Sequence, residues 1–346
     1  MTTFYLGTLN RPGPYLHATG EGVVTCALDE ASGEIQRVGA CPRAENAIWL
    51  ARAGRTVLVA GENYYDPGGI SAWRPDGSGE LTRVGGTQSS LGGAICHMEV
   101  SRDQRVAIVS SYLGGVTVHA LGVDGAVAPA HQHIVYQGSG ADPRRQEMPH
   151  PHQATLTPDG TTVLVCDLGC DCLWAHAFDG MTLGDARRID VAAGSGPRHL
   201  VFHPSLPRFY LLGELDAKVR EFDARADGWQ ESAVHDALPA GFTGEPAGSG
   251  IRLHPSGNMV FAANRNSDTV ACFAIGARGG LVRTAVIPVH GRTPRDIVIS
   301  PSGRWLISVN QDSHEVMPIG LDAASGQPTG VVGPAFACGS PFCALF

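Results

Sequence analysis

One motif recurs along the chain: an apolar strand, a Pro/Gly turn and a second apolar strand. Its clearest copies are HQATLTPDGTTVLVCDLG from His152, RHLVFHPSLPRFYLLGEL from Arg198, SGIRLHPSGNMVFAANRN from Ser249 and RDIVISPSGRWLISVNQD from Arg295. Weaker copies, NAIWLARAGRTVLVAGEN and CHMEVSRDQRVAIVSSYL, begin at Asn46 and Cys96. With Arg52, Arg102, Pro158, Pro204, Pro255 and Pro301 as turn anchors, the spacings are 50, 56, 46, 51 and 46 residues. A strand-rich repeat of that length matches a four-stranded propeller blade. These copies leave a fragment at each end: SPFCALF reads as a first strand and TFYLGTL as a second. Joined, they supply a seventh blade and remove the exposed edges that an open ring would present. The fold expected is therefore all-β: a seven-bladed β-propeller of four antiparallel strands per blade, spanning residues 1–346 as one domain and closed by the two terminal strands in one blade.

Composition agrees. The 45 glycines and 23 prolines suit a turn-rich protein, and 43% hydrophobic with 17% charged residues suits a well-buried one. No apolar run reaches the roughly 20 residues of a membrane span, and Met1 to Leu9 lacks the pattern of a signal peptide, so the expected compartment is the cytoplasm. The nine cysteines have no framework spacing, which fits a reducing compartment. Cys166, Cys170 and Cys172 match no zinc pattern and lack a fourth ligand, so no metal and no other cofactor is expected. A net charge of −8 without a basic run argues against nucleic acid and anionic membrane as partners. The chain is expected to be a monomer or a weak homodimer.

The repeat also locates a site. In a blade the first strand lines the central channel and the second returns beside it, so the start of one and the end of the other share a rim. Six positions before the anchors stand Asn46, Cys96, His152, Arg198, Ser249 and Arg295, with Phe342 in the closing strand; ten positions after them stand Glu62, Tyr112, Leu168, Glu214, Arg265 and Gln311. Arginines, glutamates and a histidine converge where a purely structural repeat needs only small or hydrogen-bonding residues. The neighbouring column of Gly61, Ser111, Asp167, Gly213, Asn264 and Asn310 looks structural, because such residues close hairpins and strand ends. Arg265 and Glu214 also have a structural reading as an ion pair between blades. The longest repeat contains a polar stretch, GSGADPRRQEMPHP from Gly138, that brings Arg144, Arg145, Gln146, Glu147 and His150 to the same rim. In its PHPH segment, His150 and His152 should face one way on an extended chain, forming an anion-accepting edge with Arg144. His203 and His254 sit beside turn prolines, and His17, His119, His176, His235, His290 and His314 read as surface or turn residues.

These features resemble the lactonase family of seven-bladed propellers, which includes 6-phosphogluconolactonase and a fungal carboxymuconate-lactonising enzyme. The resemblance runs from YLGT at Tyr5 through SYLGGVTVHAL, RQEMPHPH, DLGCD, GSGPRHLVFHP, the GEL triplet at Gly213, NRNSD and TPRD to the closing PFCALF. The first full blade departs from it, reading AENAIWL without the usual proline, and Arg102 replaces a turn proline in the second. The resemblance implies a metal-independent pocket that hydrolyses a sugar lactone, 6-phosphoglucono-1,5-lactone of the pentose phosphate pathway being the leading substrate. The matching positions are His152, Arg198, Glu214 and Arg265. Glu214 or His152 would take the proton of the attacking water, and Arg198 or Arg265 would stabilise the oxyanion. His150, Arg144, Arg145, Arg295, Glu62 and Gln311 would bind substrate. No G-x-S-x-G elbow is present, which weakens a serine-esterase reading. The alternatives are a muconate-type lactonising cycloisomerase using the same groups and a non-catalytic binding scaffold, to which only 7% aromatic residues give little support.

Overall fold

A computed structural model describes residues 1–13, 18–226 and 228–346; His17 lies outside them. The middle strands explain the architecture. Residues of Met259–Asn264 are all buried, and Arg208–Gly213 is nearly so. Strands apolar on both faces need a packing partner on each side. The outer strands have the opposite character: Leu183–Asp190 exposes the run Gly184 to Arg188, a polar edge that discourages further strand pairing.

Seven sheets satisfy these demands, each a simple antiparallel meander of four strands. In the sixth blade the short strand Phe336–Ala337 adds to Glu315–Leu321. The seventh blade joins the two ends of the chain, with Pro341–Leu345 pairing beside Thr2–Thr8 in the register Tyr5 to Leu345 and Thr8 to Pro341. Phe4 and Phe346 stack there at 5.0 Å.

The first strands, Ala47–Ala53, Gly93–Val100, Pro151–Leu156, Pro197–Phe202, Gly248–Leu253, Pro294–Ile299 and Pro341–Leu345, touch one another in sequence and close a ring. The apolar core is divided accordingly. Seven clusters of buried residues lie one at each blade interface. Between blades four and five, for example, Tyr210, Leu212 and Val219 pack against Ile251, Val260 and Phe273. Each fully buried side chain of that size contributes about 1.5–3 kcal/mol. Because the blades are held together by these interfaces, the axis is free to carry polar side chains beside apolar ones such as Ile48 and Phe342.

Candidate active site

The channel end of every first strand carries an irregularity. In the third blade Pro151 pairs with Asp167 and Gln153 with Cys166, so His152 is left out of the ladder. Arg198, Arg295, Cys96 and Phe342 are bypassed in the same way. Such a bulge re-aims a side chain at the cost of one ladder position. Here it also breaks alternation, so the bulged residue and the one after it can both serve the axis. The first blade differs from the predicted column. Ala53 pairs with Thr56 across a tight turn, which shifts the strand relative to Arg52, and Ile48 rather than Asn46 occupies the bulge.

These positions line a cavity of about 450 Å³. That volume lies within the roughly 300–1,000 Å³ of small-molecule sites. Its walls include His152, Arg198, Glu214, Arg265, Arg145, Arg295, Glu62 and Gln311, the polar groups singled out from the repeat. Arg144, Gln146, Glu147 and His150 do not line it. Arg144 is fully solvent-facing, with its guanidinium 3.9 Å from Asp142. His150 is buried, stacked on the Tyr112 ring at 3.9 Å, and its Nδ1 is 2.9 Å from the Tyr112 carbonyl oxygen. The bulge at His152 explains why the PHPH alternation does not put both histidines on one face of the cavity.

Glu214 is the centre of one wall. It is buried and paired with three arginines: Arg198 on Oε2, and Arg145 at 2.6 Å and Arg265 at 3.0 Å on Oε1. The polar loop after Gly138 delivers Arg145. That loop folds around the fully buried Gln146, whose Oε1 accepts from the Asp142 N–H and whose Nε2 donates to the Leu168 carbonyl. Burial would raise the Glu214 pKa, but Arg265, Arg198 and Arg145 outweigh it and hold the carboxyl well below the usual range.

His152 is tied to the same cluster. Arg198 Nη1 is 2.6 Å from His152 Nε2. A guanidinium can only donate, so Nε2 accepts and the proton of the neutral ring sits on Nδ1, which has no partner. Burial first, and Arg198 second, push the His152 pKa well below the usual imidazole value. Both groups the sequence suggested as bases are thus engaged, Glu214 by three cations and His152 by one.

The facing wall is built from blades one and six, and there the charges are unpaired. Arg295 lies over the Phe342 ring at 4.4 Å and makes no hydrogen bond or ion pair with a described residue. Burial, then the neighbouring Arg265 and Arg198, pull its pKa down to about 9, leaving it protonated at neutral pH. The Glu62 carboxylate also lacks a hydrogen-bonded or ion-paired partner among the described residues, and burial raises its pKa while Arg295 opposes.

Three further residues of the cavity lie outside the columns read from the repeat. Trp49, His199 and Asp296 each follow a bulge and line the cavity. His199 is buried with neither ring nitrogen partnered, and its ring meets His152 at 5.0 Å and Trp49 at 5.6 Å. Burial holds it neutral, as it does His97, whose pKa falls to about 3. Asp296 accepts from Arg252 at 2.6 Å, and that guanidinium sits 5.6 Å from the Trp49 ring centre. The signal that could have found this column is the bulge, which has no sequence marker in one isolated repeat.

Two histidines differ from their surface or turn assignment: His119 and His176 are buried within strands, with His176 bonded to Tyr136 at 2.8 Å. His254 does sit beside its turn proline, and there it is buried and bonded to Gly303 at 2.8 Å. The column read as structural keeps that role: Asp167 accepts from the His150 and Gly169 backbone and from Trp174, and Asn264 donates to Ala237. Cys166 and Cys172 are buried thiols with pKa raised, by burial for Cys166 and chiefly by the Cys170 hydrogen bond for Cys172.

Comparison with known proteins places this geometry. A 6-phosphogluconolactonase of Bacillus subtilis is 29% identical over 94% of each chain. The solved periplasmic gluconolactonase of Pseudomonas aeruginosa is 28% identical, with a TM-score of 0.89 over 99% of this chain and 98% of that one. A Lactobacillus plantarum protein superposes equally well, with a TM-score of 0.89 at 25% identity over 99% of this chain and 98% of that one. The family model for lactonases with a seven-bladed β-propeller matches residues 3–346, and the chain belongs to that family.

Proposed function

We propose that the chain hydrolyses a sugar lactone in the central cavity, with 6-phosphoglucono-1,5-lactone as its foremost substrate. The name of the Bacillus subtilis relative supports the substrate class. The observation that carries the reading is Arg295, a cation at the cavity wall with no acid among the described residues bound to it. Lactone opening develops negative charge on the carbonyl oxygen, and an unpaired guanidinium in a desolvated pocket is a donor held ready for it or for a substrate anion. Glu214 serves differently from a proton acceptor. It neutralises and orients Arg198, Arg145 and Arg265, so the cavity presents positive edges in fixed positions without the repulsion of bare like charges.

The experiment is a pH-stat assay of the purified protein on 6-phosphoglucono-1,5-lactone and glucono-1,5-lactone, corrected for uncatalysed opening. A muconate-type diacid serves as the contrasting substrate. Base uptake with the lactones and no turnover of the diacid is the expected result. Turnover of the diacid alone would replace hydrolysis by lactonisation. A cytoplasmic setting and a monomeric or weakly dimeric state belong to the same proposal, checked by cell fractionation and sedimentation.

A further inference from the structure

Glu62 is the cavity carboxylate that the clamp around Glu214 leaves unexplained. It follows the second strand of the first blade, Thr56–Gly61, and its backbone is held from two sides. The Glu62 N–H donates to the Asn46 carbonyl at 3.0 Å, and Asn46 Nδ2 donates to the Glu62 carbonyl at 3.3 Å. Asn46 is itself fixed: its Oδ1 accepts from the Asn10 and Arg11 N–H groups at 3.0 and 2.8 Å, and its φ of 44° is one that asparagine tolerates better than most side chains. The residue displaced from the bulge position in the first blade is therefore the one that aims Glu62. A held backbone with an unpartnered carboxylate at a cavity wall is an arrangement built for a ligand, since a purely structural glutamate would be paired as Glu214 and Glu221 are.

We propose that Glu62 is the general base of the hydrolysis, accepting a proton from the water that attacks the lactone carbonyl while Arg295 holds the carbonyl oxygen. This rests on the lactonase reading above. The water oxygen forms its bond to the carbonyl carbon as one of its protons passes to a Glu62 oxygen. The ring ester C–O bond then breaks, its electron pair stays on the ring oxygen, and the proton held by Glu62 passes to that oxygen to make a hydroxyl. The new carboxylic acid releases its remaining proton to solvent. Glu62 ends as it began, and no oxidant, metal or covalent intermediate enters the balance.

The surroundings suit the role. The charged group facing Glu62 is Arg295 from the sixth blade, and the titratable neighbour from the second is Cys96, a thiol that burial pushes up to about 12 and keeps neutral. Burial raises the proton affinity of Glu62 above that of an ordinary glutamate, whereas Glu214 is driven the other way. A base works best as its pKa approaches the working pH.

The test uses the whole protein and 6-phosphoglucono-1,5-lactone. E62Q is expected to lose ~10²- to 10⁴-fold in kcat with KM within a few-fold of wild type. In E62A, added formate should restore part of the rate, a rescue that a structural role would not produce. Independently of any variant, the wild-type kcat profile should fall on the acid side with a midpoint above the ordinary glutamate value of 4.5. An E62Q rate within threefold of wild type, or an E62A variant that formate does not rescue, overturns the assignment while leaving the lactonase reading standing. A wild-type protein inactive on every sugar lactone removes that reading and this inference with it.

Discussion

Two glutamates at equivalent positions of two blades, Glu62 and Glu214, stand in the same cavity in opposite states. Glu214 is buried under three arginines, one of which also donates to His152. Glu62 has its backbone fixed by Asn46 and its carboxylate left open, opposite an arginine that is equally open. The repeat places both at the same height on the channel rim, and their neighbours make them different acids. A carboxylate saturated with cations is a charge template with little appetite for a proton; one left in a partly desolvated wall is the better base. The difference also assigns the arginines: Arg198, Arg145 and Arg265 are committed to Glu214, and Arg295 is available to substrate.

Stability separates the two most strongly. Glu214→Gln removes the negative charge that, among the described residues, is paired with three clustered guanidinium groups, and breaking a buried pair in that way costs about 3–5 kcal/mol. Glu62→Gln removes a carboxylate that has no partner among the described residues, so its unfolding free energy should stay within about 0.5 kcal/mol of wild type. Paired denaturant titrations of the two variants check this. Equal losses in both would show that Glu62 is held as firmly as Glu214 and would erase the contrast. A smaller effect probes the arginine side: Arg295→Gln should lower kcat by ~10²- to 10³-fold on the phosphorylated and the neutral lactone alike, the worth of one oxyanion donor. Steady-state kinetics on the two substrates decide it, and a change confined to KM for the phosphorylated lactone would make Arg295 an anion-binding group and remove it from the carbonyl oxygen.

Much of this was legible in the residues and some was not, for reasons that are physical. The strand–turn–strand repeat and the complementary ends SPFCALF and TFYLGTL are local patterns, and they carry the blade count and the closing strand pair. Counting from the turn anchors found the rim column wherever the hairpins have equal length. It slipped in the first blade, where the tight turn at Gly54 and Arg55 moves Ile48 into the place assigned to Asn46. Trp49, His199 and Asp296 escaped because regular alternation points neighbours to opposite faces, and the bulges suspend that rule. Arg144 and Arg145 are indistinguishable by position; only the fold of the loop around Gln146 sends one to Glu214 and leaves the other in solvent. Which glutamate is clamped and which is open depends on distances between blades far apart in sequence, so no count along the chain could separate them.

The most direct measurement is a titration of the glutamate side-chain carboxyl carbons by ¹³C NMR, with E62Q and E214Q spectra assigning the two signals. Burial raises the Glu62 pKa and the arginines depress that of Glu214, so the Glu62 signal should move with a midpoint above 4.5 while Glu214 stays ionised well below it. Midpoints in the reverse order, or both at the ordinary glutamate value, would contradict the division of the cavity into a clamped wall and a reactive one.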